Sequence, residues 1–325
     1  MRLGLNSWIF HLPAICAMFF TLAACGNEDE ERRALQKESS GLRDKSMEGK
    51  QTLEDGSIYE GEFSKGKPNG YGKRTFPSGD VFEGLYKNGF AHGYGTRIYK
   101  SDEELDRYSG IWESGKKEGF GVLIFSDSSR MEGHWESDEL SYGEYQGSDG
   151  VILTGKWNQS SLSEGRMKTE LNEEFTGVFN PDGSFAKGTF QSLGGDRYTG
   201  RFFSNSYHGS GVLEQNDGSL YVGNFASGVF AGIGVWLKPN GTAYSGTFKN
   251  GLPDGFGTQQ DPTGVTYSGM WVEGTKQGRG NLDFGDGTSF TGQFEKGLGV
   301  LGSYDWGDGR VTNSYQDENG EWRDR

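Results

Sequence analysis

The sequence predicts an all-β protein, an elongated single-layer solenoid of stacked antiparallel β-hairpins. Two observations on composition and pattern support this class. Glycine accounts for 56 of the 325 residues, proline for only 7, and 14% of the residues are aromatic. An aromatic-x-Gly-x-aromatic pattern recurs along most of the chain, and Asp-Gly or Asn-Gly pairs follow many of its copies. Short strands joined by tight turns are expected from such a sequence.

The repeating unit can be read from its first copy and from its spacing. Tyr59, Gly61 and Phe63 form the first motif, and a Gly-x-Gly sequence follows about six residues later. The six copies that start from Phe175 to Phe290 begin 23 residues apart. Alternate residues of a strand share a face, so the two aromatic residues and the glycine between them lie on the same face of the strand. One hairpin has too little core to be stable alone, and we therefore expect the units to stack.

This pattern resembles the MORN repeat (membrane occupation and recognition nexus). The resemblance covers roughly residues 53–310, which hold about eleven units. It implies stacked β-hairpins in an open, curved and grooved sheet. It also implies a role in scaffolding, protein–protein contact, membrane association or support of a separate catalytic domain.

The repeat is degenerate at residues 131–175. Met131 and Leu153 stand where other units have their first aromatic residue, and the Gly-x-Gly sequence is lost. Two explanations stay open. Either the units have drifted within a tolerant solenoid, or they form a specialised contact surface.

The N-terminus predicts a lipid anchor. Residues 1–24 combine Arg2 with an apolar stretch, as in a secretory signal peptide. Leu22-Ala23-Ala24-Cys25 resembles the lipobox of bacterial lipoproteins, which implies cleavage before Cys25 and its lipidation. By analogy with sorting rules in that family, Gly26 favours the outer membrane. The predicted location is the bacterial cell envelope, lipid-anchored, at the outer membrane facing the periplasm.

The regions on either side of the repeats have different predicted roles. Residues 25–52 comprise the lipidated cysteine and a polar tether, because they offer almost no apolar side chains to bury. Residues 311–325 lack the motif, and we expect a C-terminal capping strand and tail there.

Charge and side-chain chemistry favour binding over catalysis. The formal net charge of −14 opposes nucleic-acid binding. His92 and His208 occupy a position where other repeats have Asn69 or Asp254, as expected of a solvent-facing turn rather than a catalytic base. Metal ligands at short spacing are missing from the sequence, so we expect no catalytic residues, no metal and no cofactor.

The predicted function is a lipid-anchored scaffold of the cell envelope that binds a protein, peptide or glycan through the aromatic–glycine surface of its repeats. One alternative is recognition of a phospholipid membrane surface by the repeats, and a carbohydrate-active or other enzyme is the least favoured. Open sheet edges can pair with a second copy of the chain, so a homodimer is also a candidate assembly. The predicted binding residues are the repeat aromatics and a glycine: Tyr59, Gly61, Phe63, Phe82, Tyr86, Tyr108, Trp112, Tyr198, Phe202, Tyr221, Phe225, Tyr244, Phe248, Tyr267 and Trp271.

Overall fold

The computed structural model describes residues 47–325, and the regular secondary structure there is entirely β-strand. The predicted signal peptide, Cys25 and the tether up to residue 46 lie outside the described residues. The described residues divide into two compact units, the first ending at Leu140 and the second comprising Ser141–Arg325.

In the first unit the strands are β1 (Met47–Thr52), β2 (Ile58–Ser64), β3 (Lys67–Thr75), β4 (Val81–Lys87), β5 (Phe90–Ile98), β6 (Leu105–Glu113), β7 (Lys116–Phe125) and β8 (Arg130–Glu136). Strand β9 (Glu139–Gln146) lies mainly in the second unit. The others there are β10 (Ile152–Asn158), β11 (Ser161–Lys168), β12 (Glu174–Phe179), β13 (Phe185–Gln191), β14 (Arg197–Phe203), β15 (Ser206–Glu214), β16 (Leu220–Ala226), β17 (Val229–Leu237), β18 (Ala243–Lys249), β19 (Leu252–Gln260), β20 (Thr266–Val272), β21 (Thr275–Asp283), β22 (Ser289–Glu295), β23 (Leu298–Asp305), β24 (Val311–Gln316) and β25 (Trp322–Asp324).

Strand pairing follows the order of the chain. From β1 to β8, every strand pairs antiparallel with its neighbours in sequence. The same holds from β9 to β25 in the second unit. The predicted all-β class of stacked antiparallel hairpins is confirmed.

Glycine fixes the register of these pairings. The middle glycine of each motif faces the second glycine of the following Gly-x-Gly, as Gly246 faces Gly257. That second glycine in turn faces the middle glycine of the next motif, as Gly257 faces Gly269. We call this line of facing residues the glycine row. It runs through Gly49, Gly61, Gly72, Gly84, Gly95, Gly110, Gly121 and Gly133 in the first unit.

Two kinds of turn join the strands. Within a hairpin, two consecutive residues have positive φ, as at Asn250 (50°) and Gly251 (82°), which is the geometry of a type I′ turn. Between hairpins, the predicted Asp-Gly turns are present. At Asp217-Gly218, the glycine has a φ of 89° and the Ser219 N–H donates to the aspartate Oδ1 over 2.8 Å.

A bulge at Gly-x-Gly bends the second strand of most repeats. In the hairpin of β18 and β19, Gly246 pairs with Gly257 and Phe248 pairs with Pro253, so three residues stand opposite Thr247 alone. Gly255 has a φ of 98°, which explains the glycine at the first position of this sequence. The bend turns the start of the second strand back over one face of the sheet.

Three regions clarify or correct the sequence interpretation. The tether prediction is wrong for its last six residues, because β1 (Met47–Thr52) pairs with β2. The degenerate region keeps its hairpins, since the glycine row continues through Gly143, Gly155 and Gly165. At the C-terminus, β24 and β25 form a final hairpin, in which the Trp322 ring lies 4.5 Å from that of Phe290.

Candidate binding surface

The two faces of the sheet differ in chemistry. We call the face that carries the motif aromatics the ring face and the opposite one the open face. On the ring face, the first aromatic side chain of a repeat lies across the glycine row. A Cβ on Gly257 would lie 2.1 Å from the Oη of Tyr244, so only glycine leaves room for this ring. The hydroxyl then donates to the Thr247 carbonyl over 3.1 Å.

Edge-to-face contacts link the rings of successive repeats. The Tyr244 ring centroid lies 5.0 Å from that of Phe248 in its own motif and 5.3 Å from that of Trp271 in the next, with the planes nearly perpendicular in both pairs. Tyr59, Phe63 and Tyr86 repeat this arrangement in the first unit. Such contacts stabilise the stack beyond simple area burial, because ring edges are positive and ring faces negative.

The bulged strand covers the rings from outside. Its first residues return over the motif, so that Phe230 stacks on Tyr221 with centroids 3.7 Å apart and planes 4° apart. Tyr207 stacks in the same way on Tyr198 at 3.9 Å. In other repeats a lysine takes this place, as where the Lys276 ammonium lies 5.0 Å from the Tyr267 ring centroid. Each hairpin therefore seals its own rings.

The predicted binding residues consequently lie in the interior. Thirteen of the fifteen are buried aromatics, and Gly61 and Phe63 are half-buried. The expectation that they display an accessible binding surface is corrected, because the glycine notches are filled by the rings of the same repeat. The buried members are Tyr59, Phe82, Tyr86, Tyr108, Trp112, Tyr198, Phe202, Tyr221, Phe225, Tyr244, Phe248, Tyr267 and Trp271.

Burial also fixes the protonation of the tyrosines. Removal from water raises the pKa of Tyr221, Tyr244 and Tyr267 to about 12, because the charged phenolate loses its hydration. These hydroxyls stay protonated near neutral pH and act as hydrogen-bond donors to the backbone. Their role is structural.

The open face is accessible to a partner. In the second unit, its central positions next to the glycine row include Ile233, which is 72% exposed, and Phe256, which is 64% exposed. Val222 and Val235 face each other across β16 and β17 and are also exposed. Met270 faces Phe256 across β19 and β20. These five residues, which we call the apolar patch, lie in the middle of strands and not at turns.

The charges around the apolar patch are basic. From β12 to β23, the side chains that immediately flank the glycine row on the open face include Lys187, Arg201 and Arg279, all exposed. None of the described side chains at these flanking positions in β12–β23 is a carboxylate. The apolar patch is therefore bordered by basic side chains, within a chain whose net charge is −14.

The open face of the first unit has the opposite charge. Glutamates exceed lysines at the positions that flank the glycine row there: Glu48, Glu60, Glu62, Glu83 and Glu132 against Lys50 and Lys73. The Tyr71 hydroxyl, at the middle of a Gly-x-Gly sequence, donates to the Glu83 Oε1 over 2.7 Å. The two units thus present different surfaces to solvent although they share one repeat.

Sequence reasoning missed the apolar patch. Ile233 and Phe256 are the middle residues of Gly-x-Gly sequences, and strand alternation places them opposite the glycines and hence opposite the rings. This alternation along the strand could have identified the apolar patch from the sequence. The aromatic positions of the motif are more regular along the sequence, but they form the core.

The described residues contain no cluster of three or more His, Cys, Asp or Glu side chains that could hold a metal ion. His92, His134 and His208 lie on three different strands, β5, β8 and β15. Residues 47–325 also include no helix with the length and apolarity needed to cross a membrane.

Comparison with known proteins identifies the repeat. The family model described as MORN repeat matches residues 59–81, 82–103, 108–130, 198–220, 221–243, 244–266, 267–289 and 290–309. A comparison with curated proteins found no match.

Among solved structures, the wild-type TCP10 domain of Danio rerio CPAP is 13% identical, with 75% of this chain and 94% of that chain covered and a TM-score of 0.20. The SAS-4 (dCPAP) TCP domain of Drosophila melanogaster, solved in complex with a proline-rich motif of Ana2 (dSTIL), is 11% identical. There, 55% of this chain and 92% of that chain are covered, with a TM-score of 0.23. TM-scores this low carry no argument about function. The eight matched segments span more than half of the chain, and the chain belongs to the MORN-repeat family.

Proposed function

We propose that this chain is a lipid-anchored, non-catalytic scaffold of the bacterial cell envelope that binds a protein, peptide or glycan partner through the open face of its repeats. The observation that carries the proposal is the apolar patch. Large apolar side chains exposed together in the middle of strands are unusual unless something covers them, and such patches mark interaction sites.

The shape and chemistry of the patch favour an extended partner. Its side chains form two rows across β16–β20, one on each side of the glycine row. Ser245 and Thr258 continue the row of Val222 and Val235, and Thr247 faces Ile233 in the other row. Neighbouring strands lie about 4.8 Å apart, so these five strands offer a path of roughly 20 Å. An extended peptide or glycan crossing the strands would contact both apolar groups and hydroxyls.

The anchor in this proposal is Cys25, preceded by the lipobox-like residues Leu22, Ala23 and Ala24. Several acyl chains on one cysteine hold a protein stably on a bilayer, whereas one chain does so only marginally. Replacing Cys25 by Ser should move the protein from the membrane fraction to the soluble fraction. Membrane retention of this variant would contradict the anchor and leave the binding surface unaffected.

The absence of catalysis in this proposal rests on the roles that the polar residues already have. The tyrosine hydroxyls donate to backbone carbonyls, and the buried Asp80 accepts hydrogen bonds from the Lys100 N–H and the Arg97 guanidinium. A catalytic site needs a nucleophile or a general base within reach of a second functional group. The polar groups named here are committed to the fold.

A second candidate function is direct recognition of an anionic phospholipid surface by the same face. Lys187, Arg201 and Arg279 near exposed apolar side chains favour it, because each basic residue near such a surface contributes about 1 kcal/mol. The five-strand apolar patch lies between Arg201 and Arg279 along the sheet. The overall net charge of −14 opposes close approach to an anionic bilayer.

Site-specific photo-crosslinking in intact cells tests the binding surface. A photoreactive residue at Ser245, which is exposed between Val235 and Thr258, should yield a discrete protein, peptide or glycan adduct. The double variant Ile233→Glu/Phe256→Glu should abolish that adduct. The matched control Leu171→Glu/Leu193→Glu changes two exposed turn residues and should retain it.

Other outcomes of the crosslinking experiment would contradict the proposal or favour the second candidate function. Loss of the adduct in both double variants would contradict a role for the open face, and so would an absence of any adduct. A lipid adduct at Ser245, together with sedimentation of the Cys25→Ser chain on phosphatidylglycerol vesicles but not on phosphatidylcholine vesicles, would favour the second candidate.

A further inference from the structure

The first and the last strand of the described residues are protected unequally. At the C-terminal end, β25 has only three residues, and Trp322 packs over Phe290 and Tyr304. Short edge strands and covered edges are common means of preventing further strand pairing. At the N-terminal end, β1 has six residues, and all of them are exposed. Its only pairing among the described strands is with β2.

The backbone groups of β1 that face outward can be identified from the glycine row. Inside a hairpin the row glycines approach closely, since a Cβ on Gly61 would lie 2.4 Å from the Cα of Gly72. A Cβ on Gly49 would meet only the Phe63 ring, at 3.6 Å, so Gly49 and Gly61 form a wide pair. Wide pairs in antiparallel sheets are the hydrogen-bonded ones. Gly49 therefore directs its N–H and C=O toward β2, and Glu48 and Lys50 direct theirs outward.

Charge selects one register for a second strand on this edge. A two-fold antiparallel pair of β1 strands centred on Lys50 would place two ammonium groups opposite each other, and one centred on Glu48 would place two carboxylates together. Like charges directly opposite are destabilising. A pair centred on Gly49 places Glu48 of each copy opposite Lys50 of the other. It also continues the glycine row and its alternation of close and wide pairs.

We propose that two copies of this chain pair antiparallel through β1 (Met47–Thr52), with Gly49 opposite Gly49 and two Glu48–Lys50 ion pairs between the copies. Lys50 already lies 3.2 Å from Glu60 on β2, so each lysine is flanked by a carboxylate on both sides. The pairing forms a ladder of alternating charges across the joined edges. It uses the edge of the sheet and leaves the open face accessible.

The strength of this contact depends on where the protein is held. Six-residue strands bury little apolar surface, and the pairing is expected to be weak for freely diffusing molecules. Anchoring to one membrane raises the effective concentration of the two edges, which strengthens association without any new contact. We expect the dimer at the membrane, in the full-length protein.

Disulfide trapping tests the register. In the proposed pair, the Cα atoms of the two Gly49 residues are about 4.5 Å apart, within the range that a disulfide spans. Gly49→Cys has room for its side chain, since the nearest atom is 3.6 Å away. Mild oxidation of membranes carrying this full-length variant should yield a covalent dimer.

Met47→Cys is the matched control. Met47 lies opposite Gln51 of the second copy in this register, so two cysteines at 47 would be about 13 Å apart and should not link. The parent chain should not link either. Equal linking of both variants, or linking of neither, would overturn the proposal. A normal thermal unfolding transition for each variant shows that failure to link is not failure to fold.

Charge reversal tests the ion pairs. In the Gly49→Cys background, Glu48→Lys should lower the yield of trapped dimer about tenfold, because all four central charges become positive. Lys50→Glu should do the same with negative charges. Co-expression of the two reversed chains under different tags should restore trapping, and only in the mixed dimer. Trapping that is insensitive to these charges, or that recovers equally in like pairs, would contradict the proposed contact.

Discussion

Tyr244 and Gly257 lie on adjacent strands of one hairpin, and the tyrosine ring occupies the space that any side chain at residue 257 would need. A Cβ on Gly257 would lie 2.1 Å from the tyrosine Oη and 2.4 Å from its Cζ. The same relationship joins Tyr221 to Gly234 and Tyr267 to Gly280. In each of these repeats the tyrosine ring and the glycine form one packing unit, because the ring fills the space that a side chain on the glycine would occupy.

The first prediction concerns this packing. Gly257→Ala should lower the free energy of unfolding by about 2–3 kcal/mol, as expected when a well-packed site is overfilled. Gly49→Ala, on the glycine row of the first unit, is the matched control. The nearest atom to its Cβ would be 3.6 Å away, and its effect should stay within about 0.5 kcal/mol. Urea unfolding followed by circular dichroism measures both, and equal midpoint shifts would contradict the packing argument.

A second prediction follows from the coupling between these two residues. Tyr244→Ala alone should destabilise the protein by about 3–5 kcal/mol, as for other buried aromatic truncations. Combined with Tyr244→Ala, Gly257→Ala should have a much smaller additional effect, because the ring that it would strike is gone. The double-mutant cycle should give a coupling of about 2 kcal/mol. Additive effects would show that the glycine is required for another reason.

The third prediction contrasts two tryptophans. The Trp271 indole N–H donates to the Gly257 carbonyl over 3.1 Å, whereas no described acceptor lies within hydrogen-bonding distance of the buried Trp236 Nε1. Both changes lose the packing of the larger indole ring, but only Trp271→Phe leaves a carbonyl without its donor. Trp271→Phe should therefore lower the free energy of unfolding by about 1 kcal/mol more than Trp236→Phe. Chemical denaturation compares them, and a larger effect at Trp236 would refute this assignment.

The fourth prediction concerns alkaline pH. Burial raises the pKa of Tyr198, Tyr221, Tyr244 and Tyr267 to about 12, above the value of about 10 that tyrosine has in an unfolded chain. Between these values the unfolded state loses protons that the folded state keeps. The stabilisation is therefore complete below pH of about 10 and declines as the pH rises toward 12.

Ultraviolet absorbance of tyrosinate, recorded together with circular dichroism during an alkaline titration, measures this linkage. The buried tyrosines should ionise as the strands unfold, in one coupled transition. Ionisation of all tyrosines while the β-sheet signal stays intact would show that these rings are accessible to solvent.

Several features of the fold were predictable because they are local. The 23-residue spacing, the Asp-Gly turns and the alternation in Tyr-x-Gly-x-Phe all concern neighbours in sequence. They correctly predicted stacked antiparallel hairpins. The boundary of the tether was wrong because nothing in Met47–Thr52 marks a strand except Gly49, whose role becomes visible only when it faces Gly61.

The sequence by itself determined the hairpin, its length and the common face of the two rings and the glycine. Tertiary structure alone decided which face is covered. Strand alternation predicts that the side chains of Tyr244 and Phe256 point to opposite faces of the sheet, but it does not predict which of them is exposed to solvent. The bulge at Gly255 settles this, because it turns the start of β19 back over the rings and leaves Phe256 exposed on the other side. The motif aromatics form the core for that reason, and the binding surface that we propose lies on the face opposite them.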